Sequence, residues 1–141
     1  AGTILAERAL YGPAQHLFGG DLDPEALAAA QVNLAQFSPI LHLWDARHLP
    51  IGPRSIDVVV SNLPFGIQIG SHQENVQLYE SLFDELGRIL RIGAGRAVLL
   101  TSEKDLMREL IHRHQNLILQ DQILIGVLGQ AARIYFLRRI T

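Results

Sequence analysis

The chain has 141 residues, 48% hydrophobic and 18% charged, which is enough for one globular domain with a real core and too apolar for a disordered chain. Twelve basic against fourteen acidic residues leave a net charge of −2; this excludes a strongly basic surface and argues against a free-standing nucleic-acid binder, though not against a small pocket for one base. There is no cysteine for a disulfide or thiolate site, the six histidines show no metal-ligand spacing, and no apolar run approaches membrane-spanning length, so a soluble, cytoplasmic protein is expected.

The opening segment AGTILAERALYG reads as if it began mid-unit. Gly2-Thr3 resembles the end of a glycine-rich loop, and Thr3–Leu10 reads as a short helix stopped by Gly12-Pro13. A strand is expected ahead of such a loop, so the chain reads as a fragment of a longer protein. His16–Gly20 (HLFGG) reads as a strand, followed by Asp21 and Asp23. Asp23 is the expected N-cap of a helix over Glu25–Leu34, with Pro24 in its first turn and Leu27, Ala30 and Leu34 on one face.

Ile40–Trp44 reads as the next strand, with Asp45-Ala46-Arg47 at its end, and Leu49–Arg54 as a loop. Ile56–Val60 (IDVVV) has the composition of a mostly buried parallel strand, Asp57 facing solvent or capping a neighbour, and Pro64 prevents its simple continuation. Residues 66–75 (GIQIGSHQEN) are expected to form a mobile loop, with Gly70, His72 and Asn75 shaping a lid and Asn75 capping the next helix. The strongest helix pattern places Val76, Tyr79, Leu82, Phe83, Leu86 and Leu90 at three-four spacing. Arg96–Thr101 reads as a strand, Ser102 as the cap of a helix burying Leu106, Met107, Leu110 and Ile111. Leu117–Leu128 and Ala131–Ile140 read as an antiparallel hairpin turning at Gly129.

Strands alternating with helices predict an α/β, Rossmann-like, mostly parallel sheet that ends in an antiparallel hairpin. In such sheets ligands bind beyond the carboxyl ends of the strands. Asp21, Asp45 and Asn62 all fall at those ends, a coincidence that core packing does not require. A carboxylate at Asp21 can accept from the vicinal hydroxyls of a ribose; the alternative is a loop aspartate, although Asp23 is better placed to cap the helix. Asp45 can accept from an adenine amino group, with the Ala46 N–H facing a ring nitrogen; the alternative is a turn aspartate fixing Arg47. Gly2-Thr3 suits close backbone approach to a nucleoside or an ordinary helix start, and no lysine comes next to make a triphosphate loop.

The stretch SNLPFG, residues 61–66, is the most informative. A planar exocyclic amine attacking an electrophilic methyl needs its hydrogens held and its lone pair turned. The Asn62 side-chain oxygen and the backbone carbonyl of Leu63 or Pro64 would supply two acceptors, Pro64 would stiffen the loop, and Phe65 would stack on the base. No strong base is required, because catalysis would be mostly alignment and electrostatics. The alternative is a plain turn with a buried phenylalanine. His72 reads as a possible base or, more simply, a solvated histidine, and Tyr79 as a core residue.

Taken together, these motifs resemble a class I methyltransferase that uses S-adenosylmethionine. GTILAERAL resembles the tail of the family's cofactor loop, GGDLDPEALAAAQVN its acidic second motif, and SNLPFG its (N/D/S)-P-P-(Y/F) tetrad, with Leu63 where proline is commoner. SNLPFGIQIGSHQENVQLY most resembles the tRNA guanine-N2 methyltransferases that carry a THUMP domain. The resemblance implies that residues 1–141 are a catalytic domain, N-terminally truncated and preceded by a THUMP domain in the parent protein, with strand order 3-2-1-4-5-7-6. It implies S-adenosylmethionine held by Gly2, Thr3, Asp21, Asp45, Ala46 and Asn62, and a guanine amine held by Asn62, Pro64 and Phe65, with Leu63, Gly66 and His72 lining the substrate side. The implied partner is tRNA, with no metal and no membrane. Rival readings are an adenine-N6 or protein glutamine-amide methyltransferase, a non-catalytic cofactor- or RNA-binding module, and a nicotinamide enzyme on a related sheet.

Overall fold

The computed structural model describes residues 1–66 and 71–141. The chain divides into two compact units, Ala1–Pro50 and Ile51–Thr141.

In the first unit, α1 (Thr3–Tyr11) is followed by β1 (Phe18–Asp21), α2 (Pro24–Asn33), a short 3-10 turn and β2 (Ile40–Leu43). Gly2 precedes α1 in the left-handed region at φ 88°. A Cβ there would stand 2.8 Å from Leu34 Cδ1, so both backbone conformation and close packing require glycine. The start of α2 obeys local rules: the Asp23 carboxylate accepts from the Glu25 N–H at 2.9 Å, and Pro24 occupies a position where an N–H would have no helical partner. Ala30 and Leu34 are buried beneath it as expected. β1 and β2 pair in parallel, Phe18 with Ile40 through Asp21 with Leu43, so the two strands end together.

The second unit holds β3 (Val58–Asn62), α3 (Ser71–Ile89), β4 (Arg96–Thr101), α4 (Lys104–Arg113), β5 (Leu117–Val127) and β6 (Gln130–Arg139). Its sheet runs β3-β4-β6-β5, the first pair parallel and the others antiparallel. Most of the buried side chains are here: Tyr79, Leu82, Phe83, Leu86 and Ile89 from α3, Leu106, Met107 and Leu110 from α4, Ala97 and Leu99 from β4. The hairpin turns at Leu128 and Gly129, both at positive φ, the requirement of a two-residue type I′ turn. The two strand orders, β2-β1 and β3-β4-β6-β5, are the runs 3-2 and 4-5-7-6 of the order the resemblance implies. The architecture is mixed α/β and Rossmann-like, with parallel pairing and a C-terminal antiparallel hairpin.

Four expectations are corrected. The valine strand is shifted, running to Asn62, and Val58 and Val60 are 45% and 46% exposed rather than buried, because they share one face of β3 that is less covered than the face of Val59 and Ser61. Residues 66–75 are not all loop: α3 already begins at Ser71. Asn75 therefore lies inside the helix and is buried, its amide drawn in by partners distant in sequence. Ser102 does not cap α4; the Thr101 hydroxyl instead accepts from the Glu103 N–H at 3.0 Å. Gly70, expected in a lid, lies outside the described residues.

Candidate active site

The paired ends of β1 and β2 place Asp21 and Asp45 at the same edge of the first unit. Asp21 is exposed. Its Oδ1 accepts from the Asp23 N–H at 2.9 Å, while Oδ2 has no described donor and remains available to a hydroxyl. Asp45 comes just after β2 and is held by its neighbour: Arg47 donates from its backbone N–H to Oδ1 at 2.9 Å and from Nη2 to Oδ2 at 2.7 Å, with Nε at 3.0 Å from each oxygen. This bidentate hydrogen bonding holds the Asp45 carboxyl down at about 2. The aspartate thus fixes Arg47 and leaves at most a share of Oδ2 for an adenine amine. The Ala46 N–H donates to no described group. Trp44 stacks on His42 at 4.7 Å and covers Gly20, where a Cβ would lie 2.9 Å from the indole. A free carboxylate oxygen, a free N–H and a glycine in close packing at the head of α1 form a donor set that fits a nucleoside. Thr3 begins α1 exposed.

The Asp45–Arg47 pair makes a pH prediction. The folded pKa is depressed, so the pair's contribution is present above the unfolded value of about 3.9 and is lost as pH falls through the folded one. An NMR titration of the side-chain carboxyl is expected to place its midpoint at about 2, and Arg47→Ala to raise it towards the ordinary aspartate range while the backbone N–H of residue 47 still donates. A wild-type midpoint already in that range would mean that the pair does not form in solution.

In the second unit, Asn62 ends β3 with its side chain exposed and no described residue hydrogen-bonded to its amide. Leu63 divides between the core, for its side chain, and the loop surface expected for it, for its backbone carbonyl. Its side chain is buried, 6% exposed, and its N–H donates to the Leu100 carbonyl at 2.9 Å, so it anchors the loop to β4. What it can offer a ligand is its own carbonyl, to which no described group donates. The Pro64 carbonyl is committed elsewhere: Asn75 Nδ2 donates to it at 3.0 Å and the Tyr79 hydroxyl at 2.6 Å. Two donors occupy both of its lone pairs. Among the described residues, the acceptors left without a donor at this turn are therefore Asn62 Oδ1 and the Leu63 carbonyl.

The clamp on Pro64 has one consistent proton order. A carbonyl only accepts, so Tyr79 donates to Pro64. Thr101 Oγ1, 2.6 Å from the Tyr79 oxygen, must then donate to Tyr79 while accepting from the Glu103 N–H. Burial raises the Tyr79 hydroxyl pKa and keeps it a donor. The second Asn75 N–H reaches Glu103 Oε1 at 3.1 Å, and Glu103 also receives His72 Nδ1 at 2.9 Å. His72 thus starts α3 exposed but tied to a carboxylate. Gly66 lies against the same group, since a Cβ there would meet Glu103 Oε1 and stand 2.7 Å from Cδ. Phe65 is half-buried, and no described aromatic ring packs on it.

Sequence reasoning does not find Thr101 and Glu103, and it gives Asn75 and Tyr79 other roles. One signal is present: Asn75 and Tyr79 are four residues apart on a helix and share a face with Leu82 and Phe83. A polar pair on an apolar face needs buried partners. Among the described residues no group of side chains is arranged to hold a metal ion, and no helix is long and apolar enough to cross a membrane.

Known proteins resemble this chain in sequence and in fold. The chain is 33% identical over 97 residues to the tRNA (guanine(6)-N(2))-methyltransferase THUMP3 of Mus musculus, covering 68% of this chain and 19% of that protein. It is 32% identical over 117 residues to the U6 snRNA (guanine-N(2))-methyltransferase THUMPD2 of Bos taurus, covering 80% and 21%. The chain thus spans about a fifth of the length of these relatives. The crystal structure of TrmN from Thermus thermophilus superposes with a TM-score of 0.83 at 24% identity, over 97% of this chain and 40% of that one. The fold is that of the Rossmann-like class I methyltransferases, and the chain is homologous to tRNA and U6 snRNA guanine-N2 methyltransferases over part of their length. Since the model of UPF0020, described as RMKL-like, methyltransferase domain, matches residues 1–120, the chain belongs to that methyltransferase family.

Proposed function

We propose that this chain is the catalytic part of an enzyme that methylates the exocyclic N2 amine of a guanosine in tRNA, with S-adenosylmethionine as methyl donor. The observation that carries this reading is the pair of free acceptors at the end of β3: the exposed Asn62 amide oxygen and the unengaged Leu63 carbonyl, beside a Pro64 carbonyl that is locked away.

S-adenosylmethionine supplies an electrophilic sulfonium methyl when bound. Asp21 Oδ2 would accept from its ribose, and the Ala46 N–H would meet its adenine. Asp45 contributes chiefly by holding Arg47 and the turn in place. Gly2 and Thr3 would give backbone approach at the head of α1. On the acceptor side, Asn62 Oδ1 and the Leu63 carbonyl would each accept a hydrogen bond from one N–H of the amine. This localises the nitrogen lone pair that the ring otherwise delocalises and aims it. Phe65 would stack on the guanine, and Gly66 and His72 would border it. The homology to guanine-N2 methyltransferases supports guanine as the base and tRNA as its carrier.

The test is to incubate the full-length protein with unmodified tRNA and S-adenosylmethionine, digest the RNA and identify methylated nucleosides by mass spectrometry. N2-methylguanosine is the expected product. N6-methyladenosine would keep the amine chemistry and overturn the base. Methylation of a protein glutamine alone would overturn RNA as substrate, and cofactor binding without any methylated product would leave a binding module.

A further inference from the structure

A cleft of about 350 Å³ lies between α4 and the β5–β6 hairpin, outside the site described above. Its lining includes Lys104 and Arg108 from α4 and Arg133 from β6, with Asp105 as the one acidic side chain, in a chain whose net charge is −2. These cations are weakly committed. Arg108 pairs with Asp105 at 2.7 Å, but the two side chains are 79% and 70% exposed, and such a pair contributes little. Among the described residues, Arg133 Nη1 bonds only the neutral Gln122 amide oxygen at 3.0 Å, which leaves most of its donors free. Lys104 has no described partner. Three cations against one carboxylate leave this concave surface with an excess of positive charge, so the arrangement favours an anion.

The register places this cleft near the candidate active site. Asn62 pairs with Leu100, and Thr101 pairs with Arg133. The end of β3 and the base of the cleft are thus on one edge of the sheet, two strand spacings apart, or about 10 Å. Lys104 is next in sequence to Glu103, whose carboxylate receives Asn75 and His72. A nucleotide whose base is withdrawn into a pocket at Asn62 keeps its flanking phosphates at the pocket mouth, and forked guanidinium groups suit phosphate oxygens.

We infer that the Lys104–Arg108–Arg133 cleft holds the phosphodiester backbone of the RNA beside the target nucleotide. The inference rests on the RNA substrate of the proposed function and adds a surface that positions the strand without reading its sequence.

The test uses the full-length protein as wild type, as the triple variant Lys104→Ala/Arg108→Ala/Arg133→Ala, and as Lys104→Glu. The last is a charge reversal at an exposed side chain with no described partner, so folding is preserved if the triple variant unfolds. The dissociation constant for labelled tRNA is measured against salt without turnover, and KM and kcat are measured with turnover. The triple variant is expected to raise Kd and KM for tRNA by roughly tenfold or more and to flatten the plot of log affinity against log salt by about one for each phosphate no longer held. Affinity for S-adenosylmethionine and kcat at saturating tRNA should remain within about twofold of wild type. Unchanged Kd and salt slope in both variants overturn the cleft, whether or not the wild type methylates RNA. A wild type that binds RNA without methylating it removes the proposed reaction and leaves the cleft to be judged on binding. A wild type that binds no RNA at low salt overturns both.

Discussion

Asn62→Ala is expected to lower kcat for amine methylation by roughly a hundredfold or more, equivalent to about 2.7 kcal/mol of transition-state stabilisation. The side chain is exposed at the end of β3 and bonds no described residue, so its removal should leave the unfolding midpoint near wild type. The loss should therefore be kinetic, because the amide oxygen is one of two acceptors that fix the amine, and one acceptor allows the nitrogen to rotate. Asn62→Asp retains an acceptor oxygen and should keep more activity than alanine. Single-turnover methylation with saturating tRNA and cofactor separates the outcomes. A kcat within about threefold of wild type would remove Asn62 from amine alignment. A higher KM for S-adenosylmethionine with unchanged kcat would place its role on the cofactor.

The features legible in the sequence are those that local chemistry encodes. Asp23-Pro24 specifies the start of α2 because a cap and a proline act within one turn. Arg96–Thr101 and the hairpin around Gly129 are placed well because each carries a glycine signal and a sustained apolar pattern. Asp21 and Asn62 stand out because strand ends are where such sheets bind ligands. The misplaced features depend on distant partners. The burial of IDVVV depends on what covers each face of β3, which composition does not encode. The first turn of α3 is hidden because Asn75 reads locally as a cap, while its partners Pro64 and Glu103 are 11 and 28 residues away. Ser102 fails as a cap because α4 starts one residue later, with Glu103 at the N-cap position and its N–H held by Thr101.

The same clamp yields the second large effect. Asn75 spends both amide hydrogens, one on the Pro64 carbonyl and one on Glu103, and is buried. Asn75→Asp keeps the shape but replaces the donor with a carboxylate facing a carbonyl and another carboxylate. The expected cost at neutral pH is about 3 kcal/mol or more, the range for an uncompensated buried charge. Tyr79→Phe should cost less, about 1–2 kcal/mol, because Pro64 keeps its bond from Asn75 and only the Thr101 hydroxyl loses its acceptor. The pH dependence distinguishes charge from shape. The introduced carboxyl has a folded pKa raised by burial and by Glu103, so the variant stands closest to wild type at acid pH, where that carboxyl is protonated in both states. The deficit grows as pH rises through its unfolded and then its folded pKa. Denaturant unfolding of wild type and Asn75→Asp across that range measures the difference directly. A deficit that does not change with pH would mean that Asn75 matters only for packing. No deficit at neutral pH would mean that the amide does not hold Pro64, and the Leu63 carbonyl would lose its place as the second acceptor.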